Sequence, residues 1–207
     1  MSERPEEDLT VPDDARGIVV FAHGSGSGRR SPRNRAVARV LQEGGIATLL
    51  FDLLTPGEAA EDATTGRLRF DVELLGSRVT ARVDRLADDP VLGGLPTVCF
   101  GASTGAAAAL IAAAARPDRI AGIVSRGGRP DLAGDVLSRV RAPTLLIVGG
   151  EDVDVLRLNQ RAATAMRCPV ALEVVPGAGH LFEEPGAIEE VAALTLGWVD
   201  AQLRAPS

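Results

Sequence analysis

The sequence predicts an α/β protein with a mostly parallel sheet and helices on both faces of that sheet. Two observations predict this fold class. Short apolar runs typical of buried strands alternate with longer segments of helical pattern, which is how strand–helix–strand units appear in a sequence. Of the 207 residues, 45% are hydrophobic and 24% are charged, as expected for one folded globular domain.

We expect that domain to occupy residues 17–203. A polar leader, residues 1–16, precedes it and can supply an edge strand, and a short tail, residues 204–207, follows it. The chain contains no internal repeat. A lid domain has little room in a chain of this length, so the expected protein is a single sheet with its covering helices.

In the first half of the chain, glycine and proline residues separate the predicted strands and helices. The run GIVVFA, residues 17–22, is continuously apolar, as is typical of a strand buried on both faces. A helix over residues 32–42 begins at a proline and ends at a glycine pair. A strand is predicted at residues 47–53. Residues 54–69 lack a clear period and predict a loop, and a helix is predicted over residues 71–87.

The second half repeats the alternation of strands and helices. An alanine-rich helix follows a tight GASTG turn and ends before an Arg-Pro pair, because the residue before a proline disfavours helical backbone. The predicted elements are strand 97–100, the alanine-rich helix ending at residue 115, strand 120–124, a short helix at 132–139, strand 144–148, helix 155–166, strand 170–175 and helix 187–203.

Composition excludes several classes of function. The chain has 22 basic and 28 acidic residues, a net charge of -6 and only 3% aromatic residues. An acidic protein with few rings is a poor candidate for binding nucleic acid, which needs basic patches and stacking platforms. Every basic residue is arginine. The absence of lysine excludes a Schiff-base lysine, a Walker A lysine and a Ser-Lys dyad.

The cysteines and the hydropathy pattern predict a cytoplasmic protein. Cys99 and Cys168 are far apart in the chain and lie in apolar surroundings, which favours reduced core thiols over a disulfide or a CxxC metal site. The N-terminal sequence is acidic and has no apolar signal region. The longest apolar stretch, residues 106–115, is too short to cross a bilayer. We therefore expect neither a metal nor a membrane partner.

Candidate catalytic residues follow the strands, because ligands of such sheets bind at the carboxyl ends of the strands. The strand at 97–100 ends in G-x-S-x-G around Ser103, with a helix after it. A strained turn there would expose the Ser103 hydroxyl as a nucleophile. The alternative is a small-residue turn that only packs the alanine-rich helix on the sheet.

A serine nucleophile needs a base, and the chain has two histidines. His180 lies in a glycine-rich loop after the last strand, where no core role explains an imidazole, so it is the candidate base. His23 directly follows the first apolar strand. We expect it to order the glycine-rich loop after it, and together with Gly24 it is also a candidate substrate contact.

Three carboxylates after the strand at 144–148 compete to orient that base. Asp152 lies where the loop turns back over the sheet and is the preferred acid. Asp154 could instead cap the following helix, and Glu151 could be solvated. The chain order is then Ser103, Asp152 and His180.

Four segments resemble the dienelactone-hydrolase-like branch of the α/β-hydrolase superfamily, in particular its small bacterial members with a serine. They are HGSGSGRRSPRN, GASTGAAAAL, PTLLIVGGEDVDV and VPGAGHLFEEPG. The resemblance covers residues 10–203 and implies a minimal, lidless α/β-hydrolase fold. The family's G-G-x-D pattern matches Asp152, and its final G-x-H matches His180. Dienelactone hydrolases themselves use a cysteine nucleophile, whose place Ser103 takes here.

The resemblance and the expected geometry nominate an oxyanion hole. Acyl transfer needs donors aimed at the oxygen where charge develops. The main-chain N–H groups of Ser25 and Thr104 are the candidates. The GSGSG sequence in this region has an alternative interpretation as a phosphate cradle, but it does not match the P-loop pattern.

Arginines cluster at the working edge of the predicted sheet. They are Arg29, Arg30, Arg33, Arg35, Arg126 and Arg129. A guanidinium group binds carboxylate or phosphate bidentately, so Arg126 is a candidate contact for an anionic substrate. The alternative is that these arginines form ordinary surface ion pairs, since arginine is the chain's only strong cation.

These residues predict a hydrolase that cleaves a carboxylic ester, lactone or thioester of a small acyl substrate through an acyl-enzyme, with no cofactor. The alternative is a non-catalytic ligand-binding or interaction module of the same fold. The resemblance keeps that alternative open, because such domains also occur joined to phosphoribosyltransferase domains. The sequence predicts neither the natural substrate nor an oligomeric state.

Overall fold

The computed structural model describes residues 5–204 and contains a seven-stranded sheet. The strands pair in the order β1-β3-β2-β4-β5-β6-β7, and every neighbouring pair is parallel except β1 with β3. The strands are β1 (Glu7–Thr10), β2 (Ile18–Ala22), β3 (Ala47–Phe51), β4 (Thr97–Ala102), β5 (Ile120–Arg126), β6 (Thr144–Gly149) and β7 (Val170–Val175).

Helices cover both faces of the sheet, which confirms the predicted fold class. One face packs against α1 and α6, and the opposite face packs against α3, α4 and α5. The helices are α1 (Pro32–Glu43), α2 (Pro56–Thr65), α3 (Val72–Ala87), α4 (Thr104–Ala115), α5 (Val153–Ala165) and α6 (Ala187–Arg204), with 3-10 segments at Leu68–Phe70 and Pro130–Arg139.

The central strands are apolar because both of their faces are covered. Every residue of β2, β3, β4 and β6 is buried. A parallel strand in this position has no solvent face, so its sequence shows a continuous apolar run rather than alternation. The sheet's carboxyl edge is therefore the place where polar side chains can gather.

The prediction of a loop over residues 54–69 was wrong, because α2 lies there. The helix has no apolar stripe, so the capping interactions at its two ends stabilise it. The Thr55 hydroxyl accepts from the Glu58 N–H, and the Glu58 carboxylate accepts from the Thr55 N–H, which is a capping box. Gly66 closes the other end in left-handed backbone at φ 65°. The T-P-G-E sequence carried this signal.

Two strands extend further than the sequence predicted. β4 continues to Ala102, directly before Ser103, and β5 continues to Arg126. Their last residues pair with each other, Ala102 with Arg126. Tertiary pairing thus adds ladder positions that the local apolar run does not reveal, and it places Arg126 beside the candidate nucleophile.

The remaining features of the fold are the two chain ends and the two cysteines. The edge strand β1 lies within the predicted leader, whose first four residues are outside the described part, as is the tail after Arg204. Cys99 and Cys168 are both free, Cys99 fully and Cys168 only partly buried. No helix within residues 5–204 has the length and apolar character needed to span a bilayer.

Candidate active site

Ser103 occupies a strained turn between β4 and α4. Its φ is 50° and its ψ is -120°. Among the non-glycine residues of the described part, only Ser103 and Phe182 have a positive φ. Such backbone costs on the order of 1–3 kcal/mol in a residue with a side chain, and it is retained where surrounding structure imposes it. A Cβ at Gly105 would lie 2.1 Å from the Ala22 carbonyl oxygen. The motif's glycine therefore lets α4 begin directly against β2.

His180 and Asp152 are brought together by two loops at the same edge of the sheet. The ring Nδ1 of His180 lies 2.6 Å from Oδ2 of Asp152. The side chain of Asp152 is 15% exposed and that of His180 is 38% exposed. With Nδ1–H donating to the carboxylate, Nε2 is left with the lone pair that a base needs.

Backbone hydrogen bonds join the loops that carry this pair. The Glu151 N–H donates to the Ala178 carbonyl at 3.0 Å, and the Gly150 N–H donates to the Val175 carbonyl at 2.8 Å. A Cβ at Gly149 would lie 2.3 Å from the Ala178 carbonyl oxygen. The glycines at the end of β6 thus allow one loop to lie on the other, which holds the acid and the imidazole in register.

The structure separates the three carboxylates that competed in the sequence. Asp152 occupies the N-cap position of α5, but its side chain makes no capping hydrogen bond and contacts His180 instead. Asp154 lies within the first turn of α5 with its side chain 94% exposed, so the alternative that it caps the helix was wrong. Glu151 is exposed.

Ser103 and His180 line one cavity of about 210 Å³, which we call the His180 cavity. Ser25, Asn34 and Arg126 also contribute to its wall. Within residues 5–204 the Ser103 hydroxyl forms no hydrogen bond with His180. Such bonds are often long in a site without substrate and tighten when one binds.

The two candidate oxyanion donors come from the start of α4 and from the loop after β2, the strand that pairs with β4. Thr104 is the first residue of α4, where the main-chain N–H has no acceptor within the helix and the helix dipole favours negative charge. Ser25 lies in the loop after β2. A Cβ at Gly24 would be 3.1 Å from the Ser103 Cβ, so glycine lets that loop approach the nucleophile closely.

His23 is held by the backbone on both sides of its ring. Nδ1 lies 2.9 Å from the Gly24 carbonyl oxygen, and Nε2 accepts from the Leu53 N–H at 2.9 Å. Both nitrogens are therefore engaged by backbone groups, which agrees with the expected ordering role, while a contact between His23 and substrate stays a prediction. Burial lowers the pKa of His23 below its usual 6.5, although the Gly24 carbonyl and Asp52 favour the charged form.

This burial predicts a pH dependence of stability. Below pH 6.5 the unfolded chain binds a proton at His23 that the folded chain does not, so the free energy of unfolding falls as the pH drops towards the lowered pKa. The slope reaches at most about 1.4 kcal/mol per pH unit. In His23→Gln, the residue no longer titrates. Urea unfolding of both proteins from pH 7.5 to 5 should show a steeper fall for the wild type, and equal slopes would contradict the assignment.

Most of the clustered arginines form ion pairs. Arg29 contacts Asp52 at 2.6 Å and also pairs with Glu6 and Asp8 of the leader. Arg35 pairs with Asp8, Arg33 with Glu183 and Arg129 with Asp131, while Arg30 is exposed. These contacts agree with the alternative of ordinary ion pairs. Arg126 differs from them, because it is buried and lines the His180 cavity.

A second cavity, of about 440 Å³, adjoins the first and was not anticipated from the sequence. We call it the α2 pocket, because residues of α2 line it together with residues 52–54, which follow β3. Ser25 and Thr104 line it as well, and Leu53, Leu54 and Leu75 supply apolar wall. The T-P-G-E capping box was the one sequence signal that could have indicated this wall.

In the described part of the chain, no three His, Cys, Asp or Glu side chains cluster as metal ligands would.

Comparison with known proteins shows close structural relatives, whereas no family model matches the chain. A dienelactone hydrolase from Anabaena variabilis is 52% identical, with a TM-score of 0.95, over 97% of this chain and 93% of that one. Est1E from Butyrivibrio proteoclasticus is 16% identical, with a TM-score of 0.81, over 98% and 96% of the two chains. A dienelactone hydrolase-like phosphotriesterase from metagenomic libraries is 19% identical, with a TM-score of 0.75, over 98% and 94%.

Two Mycobacterium tuberculosis proteins, from different strains, are each 58% identical to this chain over 198 residues. Both carry the provisional name phosphoribosyl transferase. The alignment covers 96% of this chain and 44% of theirs, so the chain spans less than half the length of these relatives. The part of this chain that aligns with these two proteins contains the His180–Asp152 pair and almost all the residues of both cavities.

Proposed function

The chain belongs to the dienelactone-hydrolase-like branch of the α/β-hydrolase superfamily, and on that premise we propose that it is a serine hydrolase that cleaves a carboxylic ester, lactone or thioester. One observation carries this proposal. Ser103, in its strained turn, lines the same cavity as His180, whose ring is hydrogen-bonded to Asp152. Nucleophile, base and orienting acid are the three parts that acyl transfer by serine requires.

The proposed reaction proceeds through an acyl-enzyme. His180 Nε2 takes the proton of Ser103 as Oγ attacks the carbonyl carbon, and Asp152 stabilises the imidazolium that forms. The N–H groups of Ser25 and Thr104 donate to the oxyanion. The tetrahedral intermediate then releases the leaving group, which receives the proton from His180. A water activated by His180 finally hydrolyses the acyl-enzyme, and no cofactor takes part.

The transferase name of the longer relatives does not displace this proposal. That name refers to proteins more than twice as long as the aligned region, and the groups that support hydrolysis lie within that region. We assign the hydrolase activity to this chain. A cytoplasmic location belongs to the same proposal and is supported by the two free thiols.

A fluorophosphonate probe tests the nucleophile directly. We expect the wild-type protein to be labelled on Ser103 and to release a burst of 4-nitrophenol from 4-nitrophenyl butyrate, because the acyl-enzyme forms before it is hydrolysed. Ser138→Ala, at an exposed serine of the 3-10 segment, is the control and should label normally. A wild-type protein with neither label nor turnover would instead indicate a non-catalytic binding module.

A further inference from the structure

Arg126 is a buried cation at the candidate active site, and no acidic side chain of the described residues pairs with it. Its exposure is 7%, and among residues 5–204 it forms no ion pair. Nη2 lies 3.4 Å from the Asn34 Oδ1, and Nε has no hydrogen-bond partner in this part of the chain. The guanidinium carbon lies 5.8 Å from the centre of the Phe182 ring. The fold thus holds a positive charge beside Ser103 and leaves part of its hydrogen-bonding capacity unused.

The surroundings increase the positive charge of the His180 cavity. Arg33 also lines this cavity, and its ion-pair partner Glu183 is 68% exposed, so water weakens that pair. Burial, together with the nearby charge of Arg33, lowers the pKa of Arg126 to about 10. Arg126 therefore remains protonated at neutral pH in a place that penalises its charge.

The α2 pocket has the opposite character. Asp62 pairs with Arg69 at 2.6 Å, and Asp52 and Glu6 both pair with Arg29, so each acidic side chain of its wall already has an arginine partner within the protein. What remains for a ligand is largely the apolar wall of Leu53, Leu54 and Leu75. The two cavities, which share Gly24, Ser25 and Ser27 in their walls, thus suit different chemical groups.

The position of His180 decides which half of a substrate enters each cavity. When the tetrahedral intermediate collapses, the bond between the acyl carbon and the leaving oxygen or sulfur breaks, and that atom takes the proton held at His180 Nε2. The leaving group must therefore lie within hydrogen-bond reach of His180. His180 lines the smaller cavity with Arg126 and does not line the α2 pocket. The acyl group is then directed towards the α2 pocket.

We propose that the preferred substrates join an apolar acyl group, bound in the α2 pocket, to a small leaving group whose carboxylate or phosphoryl oxygens bind Arg126. This inference rests on the proposed hydrolase function. The anion supplies the acidic partner that the guanidinium lacks among residues 5–204, and a charge-assisted hydrogen bond in a buried site is stronger than one in water.

The test uses two nearly isosteric esters. Butyryloxyacetate has a carboxylate on its leaving group, and butyryloxyacetamide has a neutral amide in the same place. In Arg126→Met, we expect the ratio of kcat/KM for the anionic ester to kcat/KM for the amide to fall about ten-fold or more from its wild-type value. Because the ratio is compared between proteins, the intrinsic reactivities of the two esters cancel. Butyryloxymethylphosphonate, as a third substrate, distinguishes a phosphoryl from a carboxylate preference by the larger loss.

Two controls separate anion binding from a structural role. Arg161→Met makes the same change of charge at an exposed position of α5 and should leave the ratio unchanged. The melting temperature of Arg126→Met should stay the same or rise, because the variant no longer buries an unpaired charge. Arg126→Gln, which keeps a donor for Asn34, is assayed in the same way if the methionine variant does not fold.

The outcomes distinguish the proposed anion site at Arg126 from the proposed hydrolase activity on which it rests. Hydrolysis of the amide with an unchanged ratio in the Arg126 variants would overturn the anion site and leave the hydrolase proposal standing. Equal losses on all three esters with a lowered melting temperature would show that Arg126 is structural, and would also overturn it. No hydrolysis of any ester by the wild type would refute the proposed function itself.

Discussion

Replacing Ser103 with alanine is expected to reduce kcat for 4-nitrophenyl butyrate on the order of 10⁶-fold, because the attacking oxygen is removed and triad members act as a unit. The free energy of unfolding should change by no more than about 0.5 kcal/mol. The hydroxyl lies on the cavity wall rather than in the core, and among residues 5–204 it has no hydrogen-bond partner to lose. Steady-state kinetics and urea unfolding of the same preparations measure both quantities.

Ser103→Gly is the matched variant for the strained turn. Glycine adopts a φ of 50° without the steric cost that serine bears there. We expect this variant to be as inactive as the alanine variant and more stable than it by about 1 kcal/mol or more. A glycine variant less stable than the alanine variant would show that Ser103 is not strained in the folded protein.

His180→Ala should lower kcat about as much as Ser103→Ala does. The double variant should be no worse than either single variant, because each change alone already abolishes the proton transfer and the attack that depends on it. Additive losses in this cycle would show that the two residues act separately. That result would contradict the assignment of His180 as the base for Ser103.

Asp152→Asn is expected to lower kcat about 10⁴-fold, the size of effect known for the equivalent change in a serine protease. The asparagine amide can donate to Nδ1 of His180, which forces the proton onto Nε2. Nε2 can then no longer accept the proton of Ser103. The fold should be preserved, because the side chain of Asp152 makes no capping bond to α5.

The neighbouring acids are the controls for this prediction. Glu151→Gln and Asp154→Asn change exposed carboxylates that do not contact His180, so each should keep kcat within about two-fold of the wild type and stability within about 0.5 kcal/mol. Asp154 makes only an exposed contact of 3.6 Å with Arg157. A large kinetic loss at Asp154 with little loss at Asp152 would place the acid two residues later than we do.

The sequence by itself determined the sheet and the order of the candidate catalytic residues. Buried parallel strands have no solvent face, so β2, β3, β4 and β6 appear as apolar runs that need no tertiary information to recognise. Ser103 could be chosen because it lies between two glycines directly after a strand, and His180 because it lies in a glycine-rich loop after the last strand. Their location at one edge then follows from the rule that parallel strands share a carboxyl edge.

Only the tertiary structure decided the properties that depend on partners distant in the chain. The bond between Asp152 and His180 requires two loops to lie on each other. The engagement of His23 Nε2 requires the Leu53 N–H, which lies in the segment after β3. α2 has no apolar stripe, so the period used to predict helices did not detect it. The sequence likewise does not show that Arg126 lacks an acidic partner among residues 5–204. Whether a buried cation has a partner depends on which carboxylates the fold brings within reach, and local sequence does not encode that distance.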